Sequence, residues 1–99
     1  MTINRKQNGT ALEIALEGRL DTMTAPELEA ELSKSMSSAD SLTLDFSKLD
    51  YISSAGLRVL LSAHKAMSGK GGMKVTNVND IVQEVFEVTG FADILNIER

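Results

Sequence analysis

Apolar and polar residues alternate in the first part of the chain with the period of a β-strand. Between Ala11 and Leu16 every second side chain is apolar, which is typical of a strand with one buried face. The dipeptide Asn8-Gly9 just before it is a strong signal for a tight hairpin turn. The pattern therefore predicts that Thr2–Lys6 pairs antiparallel with this strand. Gly18–Met23 is expected to form a loop that carries Asp21.

A helical period follows this loop. Thr24 and Glu27 have the spacing of a capping box, in which a threonine caps the helix and a glutamate lies three residues further on. Pro26 is tolerated because the first turn of a helix leaves its N–H groups unpaired in any case. One apolar stripe then recurs at four-residue spacing, at Leu28, Leu32 and Met36. The cluster Ser37–Asp40 is expected to end this helix.

The rest of the chain repeats the alternation of strand and helix. Glycines at positions 69, 71 and 72 are expected to end the second helix. In the third helix an apolar cluster is expected from Ile81, Val82, Val85, Phe86 and Val88. The predicted segments are the strand Ser41–Phe46, the loop Ser47–Tyr51, the helix Ser54–Met67, the strand Met73–Val78, a helix that Asn79 caps and Gly90 ends, and the strand Ile94–Ile97.

The predicted order of elements is β-β-α-β-α-β-α-β. Strands that alternate with helices imply crossover connections, and these favour a largely parallel sheet with helices packed on it. The first hairpin adds an antiparallel edge, so the sequence predicts an α/β fold with a mixed sheet of about five strands. At 99 residues, with 42% hydrophobic residues, residues 1–99 are expected to form one domain. The edge of the first strand is free to pair with a second chain, so the oligomeric state stays open.

Composition narrows the classes of function. The chain contains no cysteine, which excludes disulfides and thiolate metal sites and fits a reducing compartment. No apolar run approaches the roughly 18–20 residues of a membrane span, and Met1–Lys6 is too polar for a signal peptide. A net charge of -4 with scattered basic residues argues against nucleic acid as a partner. The expectation is a cytoplasmic protein that binds other proteins and does not insert into a membrane.

The segment Ser53–Gly56 is the strongest candidate site. It opens a helix directly after a strand, and in open α/β sheets ligands and switches lie at the carboxyl ends of strands. The first N–H groups of such a helix are unpaired and carry a partial positive charge. A serine at this point is either an ordinary helix cap or an acceptor of a phosphoryl group, which the free N–H groups would tolerate. The residues alone leave both interpretations open.

Other candidate chemistry is weaker. A hydrolase with Ser54 as nucleophile would need glycine where Ile52 stands, and His64 lies about 15 Å further along the helix at 1.5 Å per residue. Asp21 and Asp45 lack a third ligand at metal-binding spacing, and Asp45 is expected near the end of its strand in a capping or turn role. The segment Gly69–Gly72 lacks the spacing of a phosphate loop and is expected to be a helix stop. The prediction is therefore a protein that is not an enzyme and holds no metal or cofactor.

Several segments together resemble one known family. They are Leu44–Ser47, Tyr51–Leu61 with the run SSAGLRVLL, Gly18–Asp21, Val78–Asn79 and Val85–Phe91. In this order they are similar to the signature of the STAS domain, in the branch of anti-sigma-factor antagonists, and they cover most of the chain. The resemblance implies a protein that binds an anti-sigma factor with serine kinase activity while unphosphorylated. Phosphorylation then releases it, and a phosphatase would reverse the switch.

The resemblance also implies roles for individual residues. The family's phosphorylated serine falls on Ser54, with Ser53 as a second candidate. Ser53 stands where the family usually has aspartate, and Ala55 replaces a second serine or threonine. The residues expected at the partner-binding surface are Asp21, Ser53, Ala55, Gly56 and Leu57.

Two further classes of function remain as alternatives. One is a STAS adaptor subunit of a larger complex, such as a lipid-transporting ABC system. The other is a sensor that binds a nucleotide or another small ligand. The serine at position 54 favours the antagonist, because an adaptor needs no acceptor there.

Overall fold

The computed structural model describes all 99 residues and has the predicted order of elements. The strands are β1 (Thr2–Asn8), β2 (Ala11–Leu20), β3 (Ser41–Ile52), β4 (Met73–Thr76) and β5 (Asn96–Glu98). The helices are α1 (Ala25–Ser35), α2 (Ser54–Met67) and α3 (Asp80–Thr89), with short 3-10 turns at Met36–Ser38 and Phe91–Asp93.

The five strands form one sheet in the order β1-β2-β3-β4-β5. β1 pairs antiparallel with β2, and Asn8 faces Ala11 across the hairpin. Gly9 in that turn has a φ of 60°, which glycine adopts without strain. All other neighbouring strands are parallel. The predicted α/β class, the mixed sheet and the first hairpin are confirmed.

One hydrophobic core lies on a single face of the sheet, under the helices. Buried Leu12, Ile14 and Leu16 alternate along β2 with more exposed residues on the opposite face. Phe46 of β3 and Phe86 of α3 meet in this core with ring centroids 6.4 Å apart. The other face of the sheet carries polar and charged side chains, so the fold has two layers.

The predicted loop at Ser47–Tyr51 is wrong throughout, and the predicted loop at Gly18–Met23 is wrong in its first half. β2 continues to Leu20, and β3 is a single strand of 12 residues that ends at Ile52. The register between β2 and β3 shifts twice, and each shift leaves one additional residue on β3. Such bulges interrupt the two-residue period of apolar side chains. The consecutive exposed residues Ser47 and Lys48 therefore looked like a loop in the sequence.

Other boundaries also differ from the prediction. α1 ends at Ser35, and β4 ends at Thr76 instead of Val78. Asn77 follows β4 with a φ of 58°, in the left-handed region, and this ends the strand. The last strand begins only at Asn96, because a 3-10 turn comes before it.

The expected apolar cluster of the third helix is only partly buried. Val82 and Phe86 lie in the core, whereas Ile81 is 61% and Val88 80% exposed. Because α3 rests on the sheet along one narrow stripe, residues on its flank stay in contact with solvent. The two ends of α3 are as predicted. The Asn79 side chain accepts a hydrogen bond from the Val82 N–H at 2.8 Å, and Gly90 ends the helix with a φ of 84°.

Candidate functional site

The Asp21 loop and the start of α2 lie side by side at one end of the sheet. β2 and β3 end together, with Leu20 opposite Ile52 in the parallel register. The Ser53 N–H donates to the Leu20 carbonyl oxygen at 2.9 Å. The two candidate loops are thus joined by a backbone hydrogen bond at the carboxyl ends of neighbouring parallel strands.

Two consecutive serines begin α2 and have different environments. Ser53 is the N-cap, with extended backbone, and its Oγ accepts a hydrogen bond from the Gly56 N–H at 3.5 Å. Ser54 is the first residue of the helix; its side chain is exposed and makes no hydrogen bond within the protein. The capping function that the sequence left open between them therefore belongs to Ser53. The Ser54 hydroxyl is free for other chemistry.

The Asp21 loop is a closed network of hydrogen bonds. The Asp21 carboxylate accepts from the N–H groups of Met23 and Thr24 at 3.0 and 3.1 Å. The Thr24 Oγ1 accepts from the Asp21 N–H at 2.9 Å and donates to the Arg19 carbonyl oxygen at 2.8 Å. Thr24 does occupy the N-cap position of α1, but its side chain bonds to no N–H of the helix. The predicted capping box is wrong, because the Asp21 turn uses this hydroxyl instead.

Asp21 and Arg19, which lie beside the start of α2, are paired with each other. The hydrogen bond from the Thr24 N–H, with a further one from the Met23 N–H, holds the pKa of Asp21 below its usual range, against the opposing effect of desolvation. Arg19 contributes as well, with its Nε 3.7 Å from Asp21 Oδ2. The same guanidinium lies 4.4 Å from the centre of the Tyr51 ring. Asp21 is therefore a fixed anion with a cation beside it.

Two of the expected partner-binding residues are buried against the sheet, and a third is partly buried. Leu57 and Gly56 are buried, and Ala55 is partly buried against the core. A Cβ atom on Gly56 would lie 2.7 Å from the Leu20 Cγ and 2.9 Å from the Ile52 Cγ1. The glycine is required here because α2 approaches the ends of β2 and β3 too closely for any side chain. Gly56 and Leu57 thus position the exposed serine.

A shallow groove of about 340 Å³ runs between α1 and α2 beside the serines. Its lining residues come from both helices and from the Asp21 loop: Thr22, Ala25, Pro26, Glu29, Ala55, Arg58, Val59 and Ser62. The sequence analysis did not identify Arg58 as part of this surface. Its spacing of four residues from Ser54 was the available signal, since side chains at that spacing share one helix face.

Asp45 does not belong to this site. It lies in the middle of β3, not near its end, and its Oδ1 accepts hydrogen bonds from the Ser47 N–H and the Asn77 side chain, both at 2.9 Å. These bonds, that of Asn77 first, lower the pKa of Asp45. Its function is to hold the bulge of β3 and the residue that ends β4.

Two general findings complete the description of the site. The structure has no cluster of three or more histidine, cysteine, aspartate or glutamate side chains that would hold a metal ion. None of its helices has the length and apolar character needed to cross a membrane.

Lys70, in the glycine-rich turn, donates to the carbonyl oxygens of Met36 and Ala39 at 3.0 Å each, so it ties this turn to the end of α1.

Comparisons with known proteins agree with this architecture. Residues 3–96 match a family model described as Mlab, STAS domain. The chain is 39% identical over 84 residues to BtrV of Bordetella bronchiseptica, provisionally named an anti-sigma factor antagonist; the match spans 83% of this chain and 72% of that protein. It is 26% identical over 98 residues to the anti-sigma-B factor antagonist of Bacillus subtilis, across 98% and 90% of the two chains.

The fold also has solved counterparts. The crystal structure of an anti-sigma factor antagonist from Mycobacterium paratuberculosis superposes with a TM-score of 0.88, at 20% identity, over 98% of this chain and 84% of the other. At this identity the match concerns the fold alone. The names of the sequence relatives describe regulators that act on another protein, not enzymes.

Proposed function

The chain belongs to the STAS domain family, in the branch of the anti-sigma-factor antagonists, and from this membership we propose that it is itself an anti-sigma factor antagonist. In this function it binds an anti-sigma factor that is also a serine kinase, and so frees a sigma factor for transcription. Phosphorylation of Ser54 ends the binding, and a phosphatase restores it. Such an exchange of partners takes place in the cytoplasm, where sigma factors act.

The exposed hydroxyl of Ser54 is the observation that carries the proposal. Of the two serines at the start of α2, Ser53 is occupied as the N-cap, and its N–H is bonded to Leu20. Ser54 makes neither of these hydrogen bonds, and its side chain faces solvent. A kinase can reach this hydroxyl without disturbing a cap or the sheet. Ser53 remains the second candidate acceptor, but its modification would cost a capping bond.

A phosphate at this position would change the surface and leave the fold intact. It adds a charge of about -1.5 to -2 at pH 7, next to the unpaired N–H groups of the first turn of α2. These N–H groups favour an anion, so the helix stays folded. The docking surface proposed here consists of Asp21, Ser53, Ser54, Ala55 and the groove between α1 and α2. An added charge on it must lose its water when a partner binds, which costs several kcal/mol.

Substitution of Ser54 tests the proposal. The kinase that copurifies with the chain should phosphorylate wild type and Ser53→Ala at one position and leave Ser54→Ala unmodified, as intact-mass analysis would show. Ser54→Ala should bind this kinase in the presence of ATP, whereas Ser54→Asp should bind at least about tenfold more weakly, a difference of about 1.4 kcal/mol. Phosphorylation of Ser54→Ala would refute the assignment of the acceptor.

Copurification from native cells separates this function from the adaptor alternative. Copurification with an ATP-binding kinase, for which the chain competes with a sigma factor, supports the antagonist. Copurification with a membrane permease and an ATPase, in protein that carries no phosphate, would instead support an adaptor subunit of a transport system. A shift of the melting temperature with a nucleotide or another small ligand would favour the sensor.

A further inference from the structure

Arg58 is placed to contact a phosphate on Ser54. The two residues lie four positions apart in α2, and both side chains are exposed. At this spacing the Cβ atoms of a helix are about 5–6 Å apart on one face. The Cα–Cβ bonds of a helix point towards its N-terminus, so Arg58 leans over the turn that Ser54 begins.

Arg58 is also a cation without a partner. It forms no salt bridge, whereas Arg19 at the same end of the sheet is paired with Asp21 and lies over the Tyr51 ring. Glu29 of α1 lines the same groove as Arg58, but the two side chains are not within ion-pair distance. In the unmodified protein the guanidinium therefore stays in the groove, available to an acidic side chain of a partner.

We propose that Arg58 is the counter-ion that a phosphate on Ser54 recruits, and that this contact withdraws its guanidinium from the groove between α1 and α2. The inference rests on the proposed function, because it assumes that Ser54 is modified. A guanidinium can bind two phosphate oxygens at once. An anion that precedes a cation by four residues is the favourable order along a helix. Phosphorylation then acts twice: it adds negative charge to the docking surface and removes a positive charge that a partner uses.

The contact can be measured without any kinase. The full chain would be produced with phosphoserine incorporated at position 54, and the phosphate would be titrated by ³¹P NMR. If Arg58 holds the dianion, the second pKa of the phosphate should be lower in the wild-type chain than in Arg58→Gln by roughly 0.3 pH unit or more. Arg58→Lys should give an intermediate value, because lysine keeps the charge but not the paired geometry.

Lys65→Gln is the matched control, since it removes one exposed cation from the same helix two turns further on. It should leave the titration of the phosphate as in wild type. Equal phosphate titrations in wild type and Arg58→Gln would overturn the inference, and so would an effect of Lys65→Gln as large as that of Arg58→Gln. Melting curves by circular dichroism should overlay for all variants, because both side chains are exposed.

The affinity of the chain for the kinase is the second measurement that tests the inference. Arg58→Gln should weaken the complex of the unphosphorylated chain with the kinase, and it should reduce the fold-loss of affinity on phosphorylation. The two arms separate the hypotheses. A phosphate that titrates differently in Arg58→Gln, in a chain that no kinase modifies, would uphold the contact and refute the proposed function. Normal phosphorylation with unchanged titration would refute the role of Arg58 alone.

Discussion

At the scale of single residues, the position of a side chain within one helical turn decides its chemistry. Ser53 and Ser54 are the same residue type and adjacent, yet one hydroxyl accepts a hydrogen bond from the Gly56 N–H and the other faces solvent. Thr24 illustrates the same effect. Its hydroxyl looks like a helix cap in the sequence but bonds to Asp21 and Arg19 in the structure. The backbone groups within reach of each hydroxyl determine which hydrogen bond it makes.

At this scale, the lowered pKa of Asp45 leads to a prediction about the stability of the fold in acid. Its pKa is lowered in the folded state, first by the Asn77 side chain and then by the Ser47 N–H. A carboxyl group with a lowered folded pKa stabilises the fold above its unfolded pKa of about 3.9, and this contribution is lost as the pH falls through the folded value. Asp45→Asn should therefore lower the free energy of unfolding at pH 7 by about 1 kcal/mol and flatten its decline below about pH 4.

Urea unfolding at pH 7 and at pH 3 measures both effects. The control is Asp50→Asn, which changes an exposed aspartate of the same strand that makes no hydrogen bond in the structure. It should leave the free energy of unfolding unchanged within error at pH 7. An equal loss of stability from Asp45→Asn at both pH values would contradict the assignment to the charge of Asp45.

At the scale of elements, the candidate site depends on how closely α2 packs against the ends of β2 and β3. Gly56 sets this approach, because the positions that a Cβ would need are filled by Leu20 and Ile52. Both of these side chains are fully buried core residues and have little room to move. Close packing against the sheet therefore requires glycine at position 56, even though glycine has a low helix propensity.

Gly56→Ala should destabilise the domain by about 1–3 kcal/mol, the usual cost of overpacking a core. The matched control is Gly69→Ala, since a Cβ there would meet nothing within 4 Å and its φ is negative. Urea unfolding should show a clear loss for the first variant and almost none for the second. A Gly56→Ala variant as stable as wild type would mean that α2 can shift away from the sheet.

At the scale of the whole molecule, a two-layer fold depends on one core. The helices cover one face of the sheet only, and the 24 buried apolar residues form a single cluster. α3 contributes two fully buried residues to this cluster, Val82 and Phe86, and the partly buried Val85 packs against it. Loss of the larger side chain should therefore weaken the whole domain, which for its size has about 5–15 kcal/mol of stability.

Phe86→Ala should cost about 3–5 kcal/mol, as is typical for a large aromatic side chain removed from a core. Val88→Ala is the control on the same helix, and it should be nearly neutral because Val88 is exposed. Thermal unfolding followed by circular dichroism and by Tyr51 fluorescence should show one shared transition for each variant. Two separate transitions would contradict the expectation of a single domain over residues 1–99.

The sequence by itself determined the order of elements, the mixed sheet and the segment that begins α2. These follow from the periods of apolar residues and from turn and cap residues, which act over a few neighbouring positions. The starts of α2 and α3 were predicted correctly for this reason; α1 also begins directly after Thr24, although the Thr24 side chain does not cap it. The resemblance of several segments to the STAS domain likewise needed no coordinates.

Only the tertiary structure decided how far the strands extend and what surrounds Ser54. The bulges of β3 lie where its pairing with β2 shifts by one residue. The period of apolar residues within one segment does not show which strand will lie beside it. The burial of Gly56 and Leu57, the exposure of Val88 and the groove that contains Arg58 likewise depend on contacts between distant segments. Residues that look equivalent in a local sequence pattern become buried or exposed according to which other segments pack against them.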